Sequence, residues 1–364
     1  MPTQPLKEIT YDMMEAFSDN RKPTNFLTSM FRDNAPTNQD QVAIDARRTK
    51  EDYAIDVGPC AKPNQIDKEA VYTDKLYDVP WYNQVGAITA CSMKTRQFGM
   101  TASEQLNKAA WIRAKVLDMA LQQQEKIERS IEKQCWDSIL NGQIVFANTE
   151  TVNYYPKASH NIVAPTSWDN PAANIFNDIY DAAYAVNTDG KVPPNIIIAG
   201  AKSFQDMLDN TGLQSRAKFT TTEAHTMELS IPEPNRNGAY FHGYISVNSF
   251  RFELWTYPST YTVPEGYGLP NEGESVQYLP DDRVVVMSNK TRLDLKWAGI
   301  FTFDNLDFTG SQLTALPRLA PGEAMRYQPY AFGSQYALSV GLISRPLAIP
   351  TQIDGIAIID TQAT

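Results

Sequence analysis

The sequence has little of what catalysis, metal binding or an extracellular scaffold is built from. It carries three cysteines, Cys60, Cys91 and Cys135, and three histidines, His160, His225 and His242. Widely spaced thiols of odd number make neither a disulfide framework nor a zinc site, and they fit a reducing compartment. The histidines sit in unrelated contexts without H-E-x-x-H or comparable spacing, and read as surface or strand residues. Asp281-Asp282 has the carboxylates of a metal pair, but "LPDDRV" is the composition of a turn before a strand. There is no P-loop, no G-x-G-x-x-G and no G-x-S-x-G. Catalysis needs convergent titratable groups, and none stand out. The expectation is a non-enzymatic protein with no catalytic, cofactor-binding or metal-binding residues.

Positive charge is also scarce. Lysine and arginine number 32 against 42 acidic residues, a net charge of −10, with no basic cluster. A groove that tracks phosphates needs concentrated basic residues, so sequence-specific nucleic-acid binding is not expected. Acidity makes copies of the chain repel, and any assembly has to overcome it. Long apolar runs are missing too. The stretch "YQPYAFGSQYALSVGLIS" (327–344) is uncharged but studded with Gly, Ser, Gln and Tyr, which suits a strand and not a membrane span. The start, "MPTQPLKEITYDMMEAF", lacks the basic-then-apolar pattern of a signal peptide. Without one, Asn289-Lys290-Thr291 carries no weight as a glycosylation acceptor.

What is present is a strand-rich chain with one very long helix. Hydrophobic residues make up 42% of the 364, enough for sizeable cores, and a chain of this length has two domains as its prior. The 20% charged residues are too few for disorder. Residues 102–141, "ASEQLNKAAWIRAKVLDMALQQQEKIERSIEKQCWDSILN", predict an unbroken helix of about eleven turns, roughly 60 Å. Thr101 and Glu104 form a capping box at its start, and Asn141-Gly142 supplies the stop. Its apolar stripe is narrow: Leu106, Ala110, Ala114, Leu117, Leu121, Ile127, Ile131, Cys135 and Ile139. Gln124 and the "QQQEK" run interrupt a coiled-coil seam, so the helix is expected to lie along a sheet.

Residues 1–48 are polar and broken by Pro2, Pro5, Pro23 and Pro36. They hold two short amphipathic pieces, Leu6/Ile9/Met13/Phe17 and Phe26/Leu27/Met30/Phe31, neither long enough to be helical alone. Residues 49–97 are extended, with Pro80 excluding a central strand. After the rod, "GQIVFAN" reads as a strand, 171–190 as a helix with Pro171 in its first turn, "NIIIAG" as a buried strand, and 201–212 as a helix closed by Gly212. Residues 238–263 alternate, and strands follow in "DDRVVVMSN", "TRLDLKWAGIFTFD", "YALSVGLIS" and "GIAIID". An arm without a core, an excursion without a core and a rod with a narrow stripe all gain stability by lying on neighbouring copies. The residues expected to make those contacts are Phe17, Phe26 and Phe31 in the arm, Tyr77, Trp81 and Tyr82 in the excursion, and Trp111 and Leu117 on the rod.

The order of these elements resembles the major capsid proteins of lambda-like tailed phages, which have the Hong Kong 97-like fold. The likeness is carried by "NFLTSMFRDN", "DVPWYNQVGAITA", the rod, "DGKVPPNIIIAGAKSFQDML", "GAYFHGYISV", "YLPDDRVVVMSN" and "LISRPLAIPTQIDGIAIID". It implies an α+β capsid subunit: an N-arm (1–48), an extended E-loop (49–97), a peripheral domain with a spine helix (98–148), an axial α/β domain (149–285), returning peripheral strands (286–345) and a C-terminal segment near the axial domain (346–364). Such subunits form hexamers and pentamers of an icosahedral shell around double-stranded DNA, without sequence-specific contacts, in a virion made in the host bacterial cytoplasm. Partners implied are a portal, a scaffold supplied separately if at all, and in some shells a decoration protein. Some relatives cross-link a lysine; Lys68 and Lys75 lie in the implied E-loop, and nothing marks either as reactive. The lumenal face is expected to be neutral or negative. The competing readings are an encapsulin-like nanocompartment shell, with the same fold, and an α/β hydrolase, which would need the convergent site that the sequence lacks.

Leu117→Pro tests the rod. It removes a backbone bond in mid-helix at a cost of about 3 kcal/mol or more, and should abolish assembly; normal particles would mean the helix is misplaced.

Overall fold

The computed structural model describes residues 25–37, 39, 41–44, 75–89, 108–146, 150–212, 225–234, 238–300, 326–333 and 337–362. The chain begins with strands β1 (Arg32–Asp33), β2 (Gln41–Ile44), β3 (Lys75–Asp78) and β4 (Tyr82–Thr89). Helix α1 (Lys108–Leu140) follows, then β5 (Gln143–Val145), β6 (Thr151–Asn153) and β7 (Asn161–Val163). Next come α2 (Ile175–Gly190), β8 (Ile196–Ala199) and α3 (Ala201–Asp209). Strands β9 (His225–Pro234), β10 (Tyr240–Val247), β11 (Phe250–Thr256), β12 (Thr260–Thr262), β13 (Ser275–Gln277) and β14 (Arg283–Met287) lead on. The chain finishes with β15 (Asp294–Trp297), β16 (Gln328–Gly333), β17 (Ala337–Ser344), β18 (Pro346–Ile349) and β19 (Ile356–Asp360).

A mixed seven-stranded sheet is the centre, in the order β7-β19-β14-β8-β11-β10-β9. β8 is buried at every position and β14 at all but its first, the signature of strands covered on both faces. Alternation divides their side chains between two cores. Ile196, Ile198, Val285 and Met287 belong to the large core that also holds Ile127, Ile131, Cys135, Trp136 and Ile139 of α1. Ile197, Ala199, Val284 and Val286 pack with Ile175, Phe176, Ile179, Ala182, Ala183 and Val186 of α2 and Met207 of α3. The sheet thus has α2 with α3 on one face and, on the other, the large core to which α1 also contributes.

α1 continues past that sheet. At 33 residues it is roughly 50 Å long. Its N-terminal half covers a second, antiparallel sheet, β16-β17-β4, through a small core of Trp111, Val116, Ala120, Ile88 and Val340. Met119 fills the space over Gly86, where a Cβ would fall 2.2 Å from its Cε and the methionine would have to swing aside. The third sheet, β1-β15-β18, adds Leu295, Trp297, Leu347 and Ala348 to the core under the C-terminal half.

Several sequence expectations shift. Residues 101–107 lie outside the described residues, and with them the capping box; from Lys108 the rod is helical to Leu140. On its N-terminal half the buried face is Trp111, Val116, Ala120 and Gln123, while Ala114, Leu117 and Leu121 face outward. Pro171 is not in a helical first turn: Asn170 Oδ1 accepts from the amide of Ala172 at 3.0 Å, closing a turn that delays α2 until Ile175. Gly190 is the last residue of α2, and glycine is required there because a Cβ would lie 2.5 Å from the carbonyl oxygen of Asp354; the left-handed residue that ends the helix is Lys191. α3 stops at Asp209, where the buried Asn210 side chain donates to the Ala173 carbonyl at 2.8 Å. The boundary expected after 285 falls inside β14, and β18 pairs with β15 under α1 while β19 joins the central sheet.

His160, expected at the surface or in a strand, is 2% exposed. Its Nδ1 lies 2.7 Å from the Ile356 carbonyl oxygen and its Nε2 3.1 Å from Asp189 Oδ2. Lys157 Nζ donates to the other oxygen of Asp189 at 2.6 Å, and that bond holds the carboxyl below the usual carboxylate range. A depressed carboxyl contributes stability above its unfolded value, about 3.9, and loses it as pH falls through the folded one. Lys157→Met should therefore flatten the acid limb of a stability–pH curve; an unchanged limb would contradict the linkage.

Candidate assembly surfaces

The inward face of α1 carries polar groups that tie distant segments to one rod. The Gln123 amide donates to the Val340 carbonyl of β17 at 2.9 Å. Tyr327, just before β16, gives its hydroxyl proton to Glu128, whose backbone carbonyl accepts from the Asn25 side chain at 3.2 Å. Gln134 donates to the Tyr82 hydroxyl oxygen at 2.6 Å, and its own Oε1 accepts from the Ala348 amide at 3.3 Å. Burial pushes the Tyr82 phenol up to about 12.

Glu132 is the most enclosed of these, at 0% exposure. Its Oε1 accepts from the Leu27 amide (3.1 Å) and the Trp136 indole (2.9 Å). Its Oε2 accepts from the amide (2.9 Å) and hydroxyl (2.5 Å) of Thr28. Burial pushes the carboxyl above its ordinary value, and the bonds from Thr28, Leu27 and Trp136 pull it back. The 3₁₀ turn Thr28–Met30 is thereby clamped to the rod, and Phe26 slots between Trp255 and Tyr257, at ring separations of 5.3 and 5.8 Å.

This clamp corrects the expectation for the arm. Phe26 and Phe31 are 2% and 4% exposed and belong to the chain's own core, so they are not contacts for a neighbour. Trp111, at 7%, fills the core between α1 and β17 and is likewise satisfied internally. Tyr82 is held by Gln134, and β4 pairs with all of β17, so this part of the excursion does have a core. Phe17 and the side chain of Tyr77 lie outside the described residues; the backbone of Tyr77 pairs with Val42. Trp81 remains 47% exposed with the Arg345 guanidinium 4.5 Å over its ring, and Leu117 is 41% exposed.

Other outward apolar side chains join these two. Leu121, one turn beyond Leu117, is 46% exposed, and Ala114 is on the same side of the helix. The outer face of β16-β17-β4 presents Val85 and Phe332, the latter stacked on Tyr330 at 6.1 Å. Gly341 lies under the Tyr330 ring, whose hydroxyl donates to Asn83 Oδ1 at 2.7 Å. Tyr267, between β12 and β13, is 75% exposed. Strand alternation could have marked Val85; nothing local distinguishes Tyr267 from an ordinary loop tyrosine. Among the described residues no group of three or more His, Cys, Asp or Glu is placed to hold a metal, and Asp281-Asp282 precedes β14 as the turn reading expects. No described helix is long and apolar enough to cross a membrane.

Glu132→Ala tests the clamp. It strands two backbone amides and an indole N–H in a dry core, each worth about 1–3 kcal/mol when unpartnered. Chemical denaturation should show a loss of roughly 3 kcal/mol or more, with cleavage by protease near residues 25–31; a loss below about 1 kcal/mol would contradict the clamp.

The profile of a family described as phage major capsid protein E matches residues 10–360. No curated protein matches the chain by sequence. Among solved structures, a protein described as the capsid protein of a prophage of E. coli CFT073 superposes with a TM-score of 0.66 at 13% identity, covering 97% of this chain and 98% of that one. The mature capsid of bacteriophage PhiM1 gives 0.45 at 10% identity (94% and 88% covered). The SrpI encapsulin of Synechococcus elongatus PCC 7942 gives 0.43 at 8% (96% and 94% covered). The α+β architecture is a phage capsid-protein fold, of the Hong Kong 97-like kind. With that fold in place and a profile spanning residues 10–360, the chain belongs to the phage major capsid protein E family.

Proposed function

We propose that the chain is the repeating subunit of an icosahedral phage head, arranged in hexamers and pentamers around double-stranded DNA. The observation that carries this is the capsid-family profile, which runs across almost the whole chain. The architecture supports it physically. A single helix of 33 residues contributes to both the main core and the separate core of the β16-β17-β4 sheet and so ties the two together. Apolar side chains stay outward on the helix, on the outlying sheet and on a hairpin, where a second copy can cover them. A specific interface buries roughly 1,200–2,000 Å², and outward patches of this kind are what would contribute to it.

In this reading 1–48 is the N-arm, with its base at 25–37 fastened to the subunit's own α1, and 49–97 is the E-loop, with its second strand β4 rooted on β17. α1 is the spine of the peripheral domain, to which β15, β16, β17 and β18 return, and the seven-stranded sheet with α2 and α3 is the axial domain. Portal, scaffold and decoration proteins are the partners that such a head takes, and the virion is its location. The role is structural, and the four hydrogen bonds that Glu132 accepts from Leu27, Thr28 and Trp136 fit a clamp within the subunit.

Producing the full-length chain and imaging it by negative stain tests the reading. Closed, angular shells are expected, and a compact monomer that persists at high concentration would contradict it.

A further inference from the structure

His160 closes the 3₁₀ turn Ala158–His160 that leads into β7, and both of its ring nitrogens face acceptors. Nδ1 is 2.7 Å from the carbonyl oxygen of Ile356, the first residue of β19. Nε2 is 3.1 Å from Oδ2 of Asp189, in the last turn of α2. A carbonyl oxygen can only accept, so Nδ1 carries a proton. An ionised carboxylate can also only accept. The bond from Lys157 to Oδ1 holds Asp189 below the usual carboxylate range, and so ionised. Nε2 then carries a proton as well. A neutral imidazole has one N–H and one bare nitrogen, and in this pocket, with the ring 2% exposed, it would aim a lone pair at an oxygen.

We propose that His160 is held as a buried imidazolium, and that it latches the 157–160 turn, the end of α2 and the start of β19 together in a proton-dependent way. The latch lies within one subunit and does not depend on the shell reading. β7 pairs with β19 only from Asn161, opposite Ile358, so the imidazole supplies a donor to Ile356 before that ladder begins. The charged groups on the elements around the ring are few. Its own segment brings Lys157, bonded to Asp189. α2 brings Asp189, with Lys191 just past its end and Asp181 and Asp178 about two and three turns back. The turn before β19 brings Asp354, and Asp360, at the far end of β19, is paired with Arg283 at 2.8 Å. The sign follows from the bonding. Both bonds of the ring exist while it is doubly protonated, so their stabilisation is complete below the ordinary histidine value, about 6.5, and fades as rising pH strips one proton. The Lys157–Asp189 bond fades in the opposite direction, towards acid, so the latch is tightest between the two limits.

The test is solid-state NMR of the full-length chain with nitrogen-15-labelled histidine, which reads free subunits and particles alike. His225→Gln with His242→Gln leaves His160 as the single labelled ring; if that variant does not fold, the signals that His160→Gln removes from the wild-type spectrum make the same assignment. At about pH 7.5 a free imidazole is about ten to one neutral. His160 should instead be at least half doubly protonated, with an N–H on each ring nitrogen. Asp189→Asn should lower that ratio about tenfold or more, because asparagine can turn an N–H toward a bare Nε2. A bare ring nitrogen on wild-type His160 at this pH overturns the assignment. So does a doubly protonated ring that survives Asp189→Asn, since the carboxylate would then not be what holds the proton. In parallel, the urea midpoint of the wild type should fall toward that of His160→Gln between about pH 6.5 and about pH 9. A difference that stays constant over that range overturns the latch.

Discussion

A helix of 33 residues in a protein of this size depends on having a partner at nearly every turn. Here those partners are recruited by polar side chains on its inward face, and Glu132 is the extreme case. A carboxylate with no exposure is costly to bury. It is tolerated because four donors converge on it, two of them backbone amides that would otherwise be unsatisfied at the start of the Thr28–Met30 turn. The carboxyl and the turn therefore solve each other's problem. Gln123, Glu128 and Gln134 repeat the arrangement with β17, the approach to β16, and β4 with β18. The result is a rod fastened to segments up to about two hundred residues away in sequence, by bonds whose geometry fixes register as well as adding stability.

The two-sided burial of the central sheet follows from the same rod. β8 and β14 can be apolar at consecutive positions because the large core that includes α1 covers one face and α2 with α3 the other. The N-terminal half of α1 keeps one layer of strands on its inner side and, among the described residues, nothing on the outer, so Leu117 and Leu121 are exposed there. Thinness at that end is what suits the subunit to a shell. Each face of a two-layer plate is near the surface, and apolar groups there are available to neighbouring copies.

Much of this was legible in the sequence, and the failures share a cause. The buried strands around Ile196–Ala199 and Arg283–Met287, the long helix and the order of elements all follow from local pattern, because continuous β-branched runs and helical spacing have few alternative readings. The inward face of the N-terminal half of α1 did not. Ala114, Leu117 and Leu121 have helical spacing as good as Trp111, Val116 and Ala120, and what decides between them is Gln123, whose amide finds the Val340 carbonyl 217 residues on. The arm base was misjudged for the same reason. Phe26 and Phe31 look orphaned until Glu132, more than a hundred residues later, provides the acceptors that anchor them. Rigid exposure at Tyr267 depends on a glutamate five residues away bonding to backbone, which composition does not disclose.

The central claim is that Asn25–Phe31 and the rod form one cooperative unit within a single subunit, before any neighbour is present. Amide hydrogen exchange on the unassembled chain reads this directly, because segments that open together exchange together. The amides of Leu27 and Thr28 should be protected to the same degree as those of residues 127–139 of α1. Fast exchange at Leu27 and Thr28 beside a protected helix would show that the arm base is held by other copies and would contradict the account.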